Sequence, residues 1–296
     1  MTHLPRLSTF SIVAYDPEAL EWGVAVQSKF LCVGAVVPWA RAGAGAVATQ
    51  SYANTSFGPH GLALMAKGLS AQQALEELIA HDEGRERRQV GLVDASGRAA
   101  SYTGDGCHEW AGGLIGAHYA AQGNILVSAA TVEAMARTFE DAGGELADRL
   151  VAALAAGQAA GGDRRGRQSA AVLVVREKGG YGGYNDRYLD LRVDDDPEPI
   201  VRLQALVDLH HLYFQPPAPG EMVAIEGELA GEVQQILRWA GFYDGPVTGE
   251  YDEPTQQALR DLIGNENFEE RFDEEGGRIS RQVMDILRDK FGPVRA

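Results

Sequence analysis

The sequence predicts an α+β protein: a four-layer αββα sandwich over residues 1–214 and a small all-α domain over residues 221–296, joined by a proline-rich linker at 215–220. Three observations lead there. Strand signals arrive in hairpin-like clusters and helix signals in pairs, in the order strands, two helices, strands, two helices, strands. Two sheets stacked face to face with a helix pair outside each satisfy that order, whereas a doubly wound parallel sheet needs strands and helices to alternate singly. Gln215-Pro216-Pro217-Ala218-Pro219-Gly220 then stiffens the chain and stops either kind of element from continuing. At 296 residues the chain also exceeds what one compact core usually holds.

The elements follow in order. Residues 9–15 and 21–28 are β-branched and apolar and meet at the turn Asp16-Pro17-Glu18; residues 33–38 and 44–50 continue the strand series. Ala42-Gly43-Ala44-Gly45-Ala46 lacks the strand-then-helix setting of a dinucleotide loop and reads as a hairpin turn. Leu62, Met65, Ala66 and Leu69 fall at helical spacing, Gly68 ends that helix, and Ser70-Ala71-Gln72-Gln73 is a capping box for the next. Strands return at 89–94 and 98–103, with weaker signals over 110–122. Val132, Met135, Ala136 and Phe139 line one further helix; Leu146, Leu150, Ala153 and Leu154 line another that stops near Gly157. The apolar run 170–175 reads as a strand covered on both faces, 188–193 as a last strand, and 199–214 as a closing helix. Beyond the linker, helical patterns occupy about 229–240, 254–264 and 280–290.

Composition narrows the function classes. The formal charge of −16 argues against nonspecific binding to nucleic acid or to an anionic membrane. Residues 221–296 hold 17 acidic and 8 basic side chains, so the tail is the more acidic part per residue. Cys32 and Cys107 sit in no CxxC or His-spaced pattern and read as small apolar residues in a reducing compartment. The histidines show no paired metal-binding spacing, so neither a metal nor a cofactor is expected. Met1 to Ser8 has no long apolar core, and no stretch reaches the ~18 apolar residues of a spanning helix. The expected location is the cytoplasm.

Several separated segments carry a family likeness. Thr9-Phe10-Ser11-Ile12-Val13-Ala14, Trp22-Gly23-Val24-Ala25-Val26-Gln27-Ser28-Lys29-Phe30 and Gly45-Ala46-Val47-Ala48-Thr49-Gln50 are three of them. Gly123-Asn124-Ile125-Leu126, Gly161-Gly162-Asp163-Arg164-Arg165-Gly166 and Asp190-Leu191-Arg192-Val193-Asp194-Asp195 are the others. Together they resemble a bacterial family of unknown function grouped by fold with the N-terminal-nucleophile hydrolases, over about residues 8–205. The tail resembles a peptidoglycan-binding module through Leu237-Arg238-Trp239-Ala240-Gly241-Phe242-Tyr243-Asp244-Gly245, Gly249-Glu250-Tyr251-Asp252 and Thr255-Gln256-Gln257-Ala258-Leu259.

The first resemblance implies Thr9 as nucleophile, with its own α-amine as the base once the Ser8–Thr9 bond is cut. Without cleavage, Thr9 is a β-branched residue opening a strand. Lys29, at the end of the second strand, would lower the nucleophile's pKa and steady anionic charge, or would be a solvated cation. Ser28 and Lys29 alternate across the sheet, so one of the two faces the site. By analogy with the proteasome-like branch, Asp163 and Ser169 would orient and polarise the nucleophile; the bland reading of Asp163 is a turn residue. Arg165, with Arg164 and Arg167, would clamp a substrate carboxylate or pair with Asp194, Asp195 and Asp196. Gln50 and Asn54 would line a pocket or donate to an oxyanion.

Two functions follow. One is an amidohydrolase acting on a small amide or peptide. The other is a binding or scaffold protein that keeps the fold, with the tail recruiting a glycan or peptidoglycan fragment or a protein. A tail packed on a second copy would make a homodimer.

Overall fold

A computed structural model describes residues 9–293. The chain is mixed α and β with antiparallel sheets, and divides into two compact units, one ending at Val207 and the other beginning at Asp208.

The first unit opens with the hairpin β1 (Thr9–Asp16) and β2 (Glu21–Ser28), followed by β3 (Pro38–Arg41) and β4 (Gly45–Ser51). Helices α1 (Phe57–Ala66) and α2 (Ala71–Ala80) come next, then β5 (Arg88–Asp94), β6 (Ala99–Thr103), β7 (Gly112–Gly116) and β8 (Tyr119–Asn124). The second helix pair is α3 (Ala130–Asp141) and α4 (Leu146–Ala159); β9 (Ser169–Val175), β10 (Arg187–Val193) and α5 (Pro199–Phe214) complete the series. One sheet has six strands in the order β10-β9-β2-β1-β8-β7, the other four in the order β3-β4-β5-β6, and all neighbours are antiparallel.

Side-chain alternation assigns the faces. Phe10, Ile12, Ala14 and Ala25 pack with Met135, Phe139, Leu150 and Leu154 of α3 and α4. The opposite faces of the same strands, Val13, Tyr15, Val24 and Val26, pack with Ala46, Ala48 and Val93 of the other sheet. Val47, Val90, Leu92 and Ala100 turn outward onto Phe57, Leu62, Leu75 and Leu78 of α1 and α2. Strand β9 is apolar throughout because Ala170, Val172 and Val174 meet the helices while Ala171, Leu173 and Val175 meet the facing sheet. The capping box at Ser70 and Gln73 forms as its spacing predicts.

One local expectation changes. Residues 33–38 do not form a strand. Cys32 takes a left-handed backbone, Val33–Ala35 is a 3₁₀ turn, and the strand starts at Pro38. Val33 and Val37 still reach the core, but as a crossover from one sheet to the other, and β-branched runs do not distinguish that from a strand. Helix α4 does end near Gly157, at Ala159, but the glycine lies inside the helix rather than capping it. A Cβ there would lie 2.7 Å from Met135 Cγ and 3.4 Å from the Phe10 ring, so the glycine lets helix and strand approach.

The second unit includes the end of α5, and Leu212 and Tyr213 pack into its core ahead of the 215–220 stretch. Its helices are α6 (Gly227–Ala240), α7 (Glu253–Glu266) and α8 (Arg281–Phe291), at the predicted places. It is not all-α. Strands β11 (Met222–Ala224), β12 (Phe272–Asp273) and β13 (Arg278–Ser280) form a three-stranded antiparallel sheet in the order β11-β13-β12. Strands of two or three residues are too short for a period-2 pattern to show.

Candidate functional site

Thr9 opens β1, in the middle of the six-stranded sheet, with Ser28 of β2 and Asn124 of β8 as its register partners. It is fully buried, and its hydroxyl donates to Ser28 Oγ at 3.2 Å. Of Ser28 and Lys29, Ser28 is therefore the one that turns inward. Lys29 is exposed: its ammonium donates to the Arg167 carbonyl at 3.3 Å. Its backbone N–H donates to Asp163 Oδ2 at 2.8 Å.

Asp163 thus converges on the same sheet end as Thr9, one residue beyond Ser28. Its carboxylate is spoken for. Besides Lys29, it accepts the backbone N–H of Arg165 at 2.8 Å and pairs with the Arg165 guanidinium at 3.3 Å. Asp163 also bridges to Leu126, and the N–H of Arg164 bonds Ile125 O, which ties the loop to the end of β8. Ser169 lies in register with Ser28 but serves the loop after β2, donating to Phe30 O and accepting from Val33 N–H. Among the described residues the arginines are engaged elsewhere than Asp194–Asp196: Arg165 pairs with Asp163, Arg167 with Glu198, and Arg164 Nη2 donates to the Leu126 carbonyl at 3.2 Å.

Gln50 belongs to the inner cluster. Its Nε2 donates to Thr9 O at 3.3 Å and to Gln89 Oε1 at 2.8 Å, and its Oε1 accepts from Ser11 Oγ at 2.7 Å. Asn54 does not. Its Oδ1 accepts from the backbone and hydroxyl of Ser56, and it lines a groove of about 480 Å³ with His60, Lys67, Glu77 and His81 along α1 and α2.

The sequence reading missed the hub of the cluster. Gln89 is completely buried between the sheets. Its Oε1 accepts from Gln50 and from Asn124 Nδ2 at 2.9 Å, and its Nε2 donates to Gly123 O at 2.7 Å and Thr103 Oγ1 at 2.9 Å. Gln122 adds a bond from Nε2 to Ser11 Oγ at 2.7 Å. Gly91 makes room for it, since a Cβ there would stand 2.1 Å from Gln122 Oε1. A signal existed: Ser11, Gln50, Gln89, Gln122 and Asn124 are polar residues set near the ends of otherwise apolar strands. The large majority of polar groups so placed are buried with a hydrogen-bond partner.

Backbone strain gathers at the same end. Three of the seven described non-glycine residues with positive φ are Ser51, directly after Gln50; Ile125, directly after Asn124; and Cys32 in the loop after β2. For β-branched Ile125 a φ of 52° is a true outlier, and such backbone costs roughly 1–3 kcal/mol per residue unless the surroundings hold it. Nearby, burial pushes the Cys107 thiol up, which makes it a poor candidate for a reactive thiolate. Cys32 and Cys107 are free and half-buried. Among the described residues no group of three or more His, Cys, Asp or Glu side chains is arranged to hold a metal ion, and no helix is long and apolar enough to cross a membrane.

Residues 9–203 match a family described as "Family of unknown function (DUF1028)". The chain belongs to the DUF1028 family. The matched span begins at Thr9, the residue that opens β1. Residues 213–287 match a second family, described as "Putative peptidoglycan binding domain". A DUF1028 protein from Silicibacter pomeroyi, solved by crystallography, is similar at 32% identity and a TM-score of 0.63. The alignment covers 69% of this chain and 89% of that one. No curated protein matches.

Proposed function

We propose that the DUF1028 unit is an amidohydrolase of the N-terminal-nucleophile type, built as a four-layer αββα sandwich and competent once the chain begins at Thr9. The observation that carries this reading is the placement of Thr9. It heads a central strand, its hydroxyl lies against Ser28, its carbonyl is held by Gln50, and strained backbone at Ser51 and Ile125 surrounds it.

In the proposed reaction the Thr9 hydroxyl attacks an amide carbonyl and gives its proton to the freed α-amine, whose ordinary pKa of roughly 7.7–8.0 suits a base near neutrality. The C–N bond then breaks, the leaving amine takes that proton, and water hydrolyses the acyl ester. Ser28 and Asn124, the register partners of Thr9, flank the reacting carbonyl. Lys29 contributes positive potential from the rim rather than a bond to Thr9, and Asp163 orders the loop that positions Lys29. Arg165 is the counter-charge of Asp163. Ser169 shapes the loop over the site, and Asn54 stands outside it.

Intact mass tests the premise. The purified protein is expected to contain a species starting at Thr9, and Thr9→Ala should abolish it. A uniformly full-length protein that hydrolyses amides would exclude Thr9 as a terminal nucleophile.

A second reading, a non-catalytic binding protein with the same fold, is favoured by the complete burial of Thr9 and by the neutralised state of Asp163. In either case we assign the second unit to recruitment of a glycan or peptidoglycan fragment, or of a protein partner, on the strength of its family match. The full chain should bind muropeptides, with chemical-shift changes confined to the second unit, if a wall fragment is the ligand.

A further inference from the structure

We infer that the head of the site recognises a substrate carboxylate through Lys29 and Arg164; this rests on the amidohydrolase reading and names its substrate class, an amide or peptide bearing a free carboxylate.

Four cations converge on this sheet end: Lys29, Arg164, Arg165 and Arg167. Two are neutralised, Arg165 by Asp163 and Arg167 by Glu198. Lys29 and Arg164 are exposed and have no acidic partner among the described residues. Each is instead steadied by a backbone carbonyl, Arg167 O for Lys29 Nζ and Leu126 O for Arg164 Nη2. A carbonyl orients a cation without cancelling its charge. The guanidinium keeps most of its five donors and the ammonium two of its three.

Their position is tied to Thr9 from both sides. Lys29 directly follows Ser28, the partner of Thr9 on β2. Arg164 is bonded through its N–H to Ile125, which directly follows Asn124, the partner of Thr9 on β8. Asp163 links the two, capping the Lys29 N–H and preceding Arg164 in the chain. Two acidic residues after β10 are engaged elsewhere: Asp195 accepts from Gln168, and Asp196 lies 3.9 Å from Arg202. In a chain of net charge −16, two uncompensated cations framing one strand head form a local exception. A planar fork on the β8 flank and a point charge on the β2 flank suit a carboxylate better than a neutral amide end.

The test is an NMR titration of the full chain with acetate, followed at the side-chain nitrogens of Arg164 and Lys29, with acetamide as the neutral counterpart. Acetate should give a saturable shift that weakens as salt rises, and acetamide none. R164Q and K29Q should each weaken acetate binding at least tenfold, while R137Q, an exposed arginine on α3, should leave it unchanged. A non-saturable response, an equal response to acetamide, or binding that survives in the R164Q/K29Q double variant would overturn the inference. Acetate has no amide to cleave, so this outcome is separate from the mass measurement that tests Thr9.

Discussion

Replacing Gln89 with methionine keeps the volume of the side chain and removes its polar end. In the structure that end takes two bonds at Oε1, from Gln50 and Asn124, and gives its two N–H groups chiefly to Gly123 O and Thr103 Oγ1. Leaving a buried donor or acceptor unpaired costs about 1–3 kcal/mol. Gln50 keeps a long bond to Thr9 O, and the Gly123 carbonyl lies within a paired strand, so part of the loss is recovered. The expected destabilisation is about 3–5 kcal/mol. For a unit of this size that lowers the melting temperature by roughly 6–20 °C. Trp22, Trp39 and Trp110 all lie in the first unit, so tryptophan emission during thermal unfolding reports it mainly, and hydrogen exchange should show lost protection first in β1 and β8. Exposed Gln72→Ala is the control. A Q89M protein that melts within a degree of the parent would refute the claim that this cluster holds the sheet end together.

Further perturbations test other parts. Gly91→Ala should destabilise by about 1–3 kcal/mol, since its Cβ would collide with the Gln122 carboxamide, and the loss should be strongly non-additive with a truncation of Gln122 in a double-mutant cycle. Glu21 is buried beside Arg176, and burial, opposed by that arginine, raises its pKa to about 7. A carboxyl raised on folding favours the folded state fully below its ordinary value and loses that contribution as pH climbs through about 7. The parent should therefore lose up to about 3 kcal/mol relative to Glu21→Gln between pH 5 and pH 8.5, read from urea midpoints at each pH. In the second unit, nearly buried Arg271 bonds the carbonyls of His211 and Leu212 and pairs with Glu221. Arg271→Ala should destabilise that unit by about 3–5 kcal/mol, visible as an earlier second-unit transition in calorimetry of the full chain.

Local elements were legible because each is written in neighbouring residues. The capping box at Ser70, the apolar stripes of α3 and α4, and the doubly covered strand β9 depend on spacings of a few positions. The turn after Cys32 was misread because Val33 and Val37 are buried as a crossover would bury them, which a strand would also do. The short strands β11 to β13 left no pattern long enough to see. Within the site, Thr9, Ser28, Gln50 and Asp163 were recognisable one by one, but not the commitments of their polar groups. Asp163 looks available in sequence and is occupied in space; Asn54 looks adjacent to Gln50 and turns away toward Ser56.

The linear chain, by itself, determined the helices and the longer strands, the double coverage of β9 and the acidic character of the whole, because periodicity and composition act over short distances. Tertiary structure alone decided that Gln89 joins Gln50 to Asn124, that Asp163 caps the Lys29 N–H, and that Lys29 and Arg164 flank the head of β1 with no acidic partner among the described residues. The Gln89–Asn124 and Lys29–Asp163 pairings span 35 and 134 positions of sequence, where packing and hydrogen bonding between strands and loops select the partner.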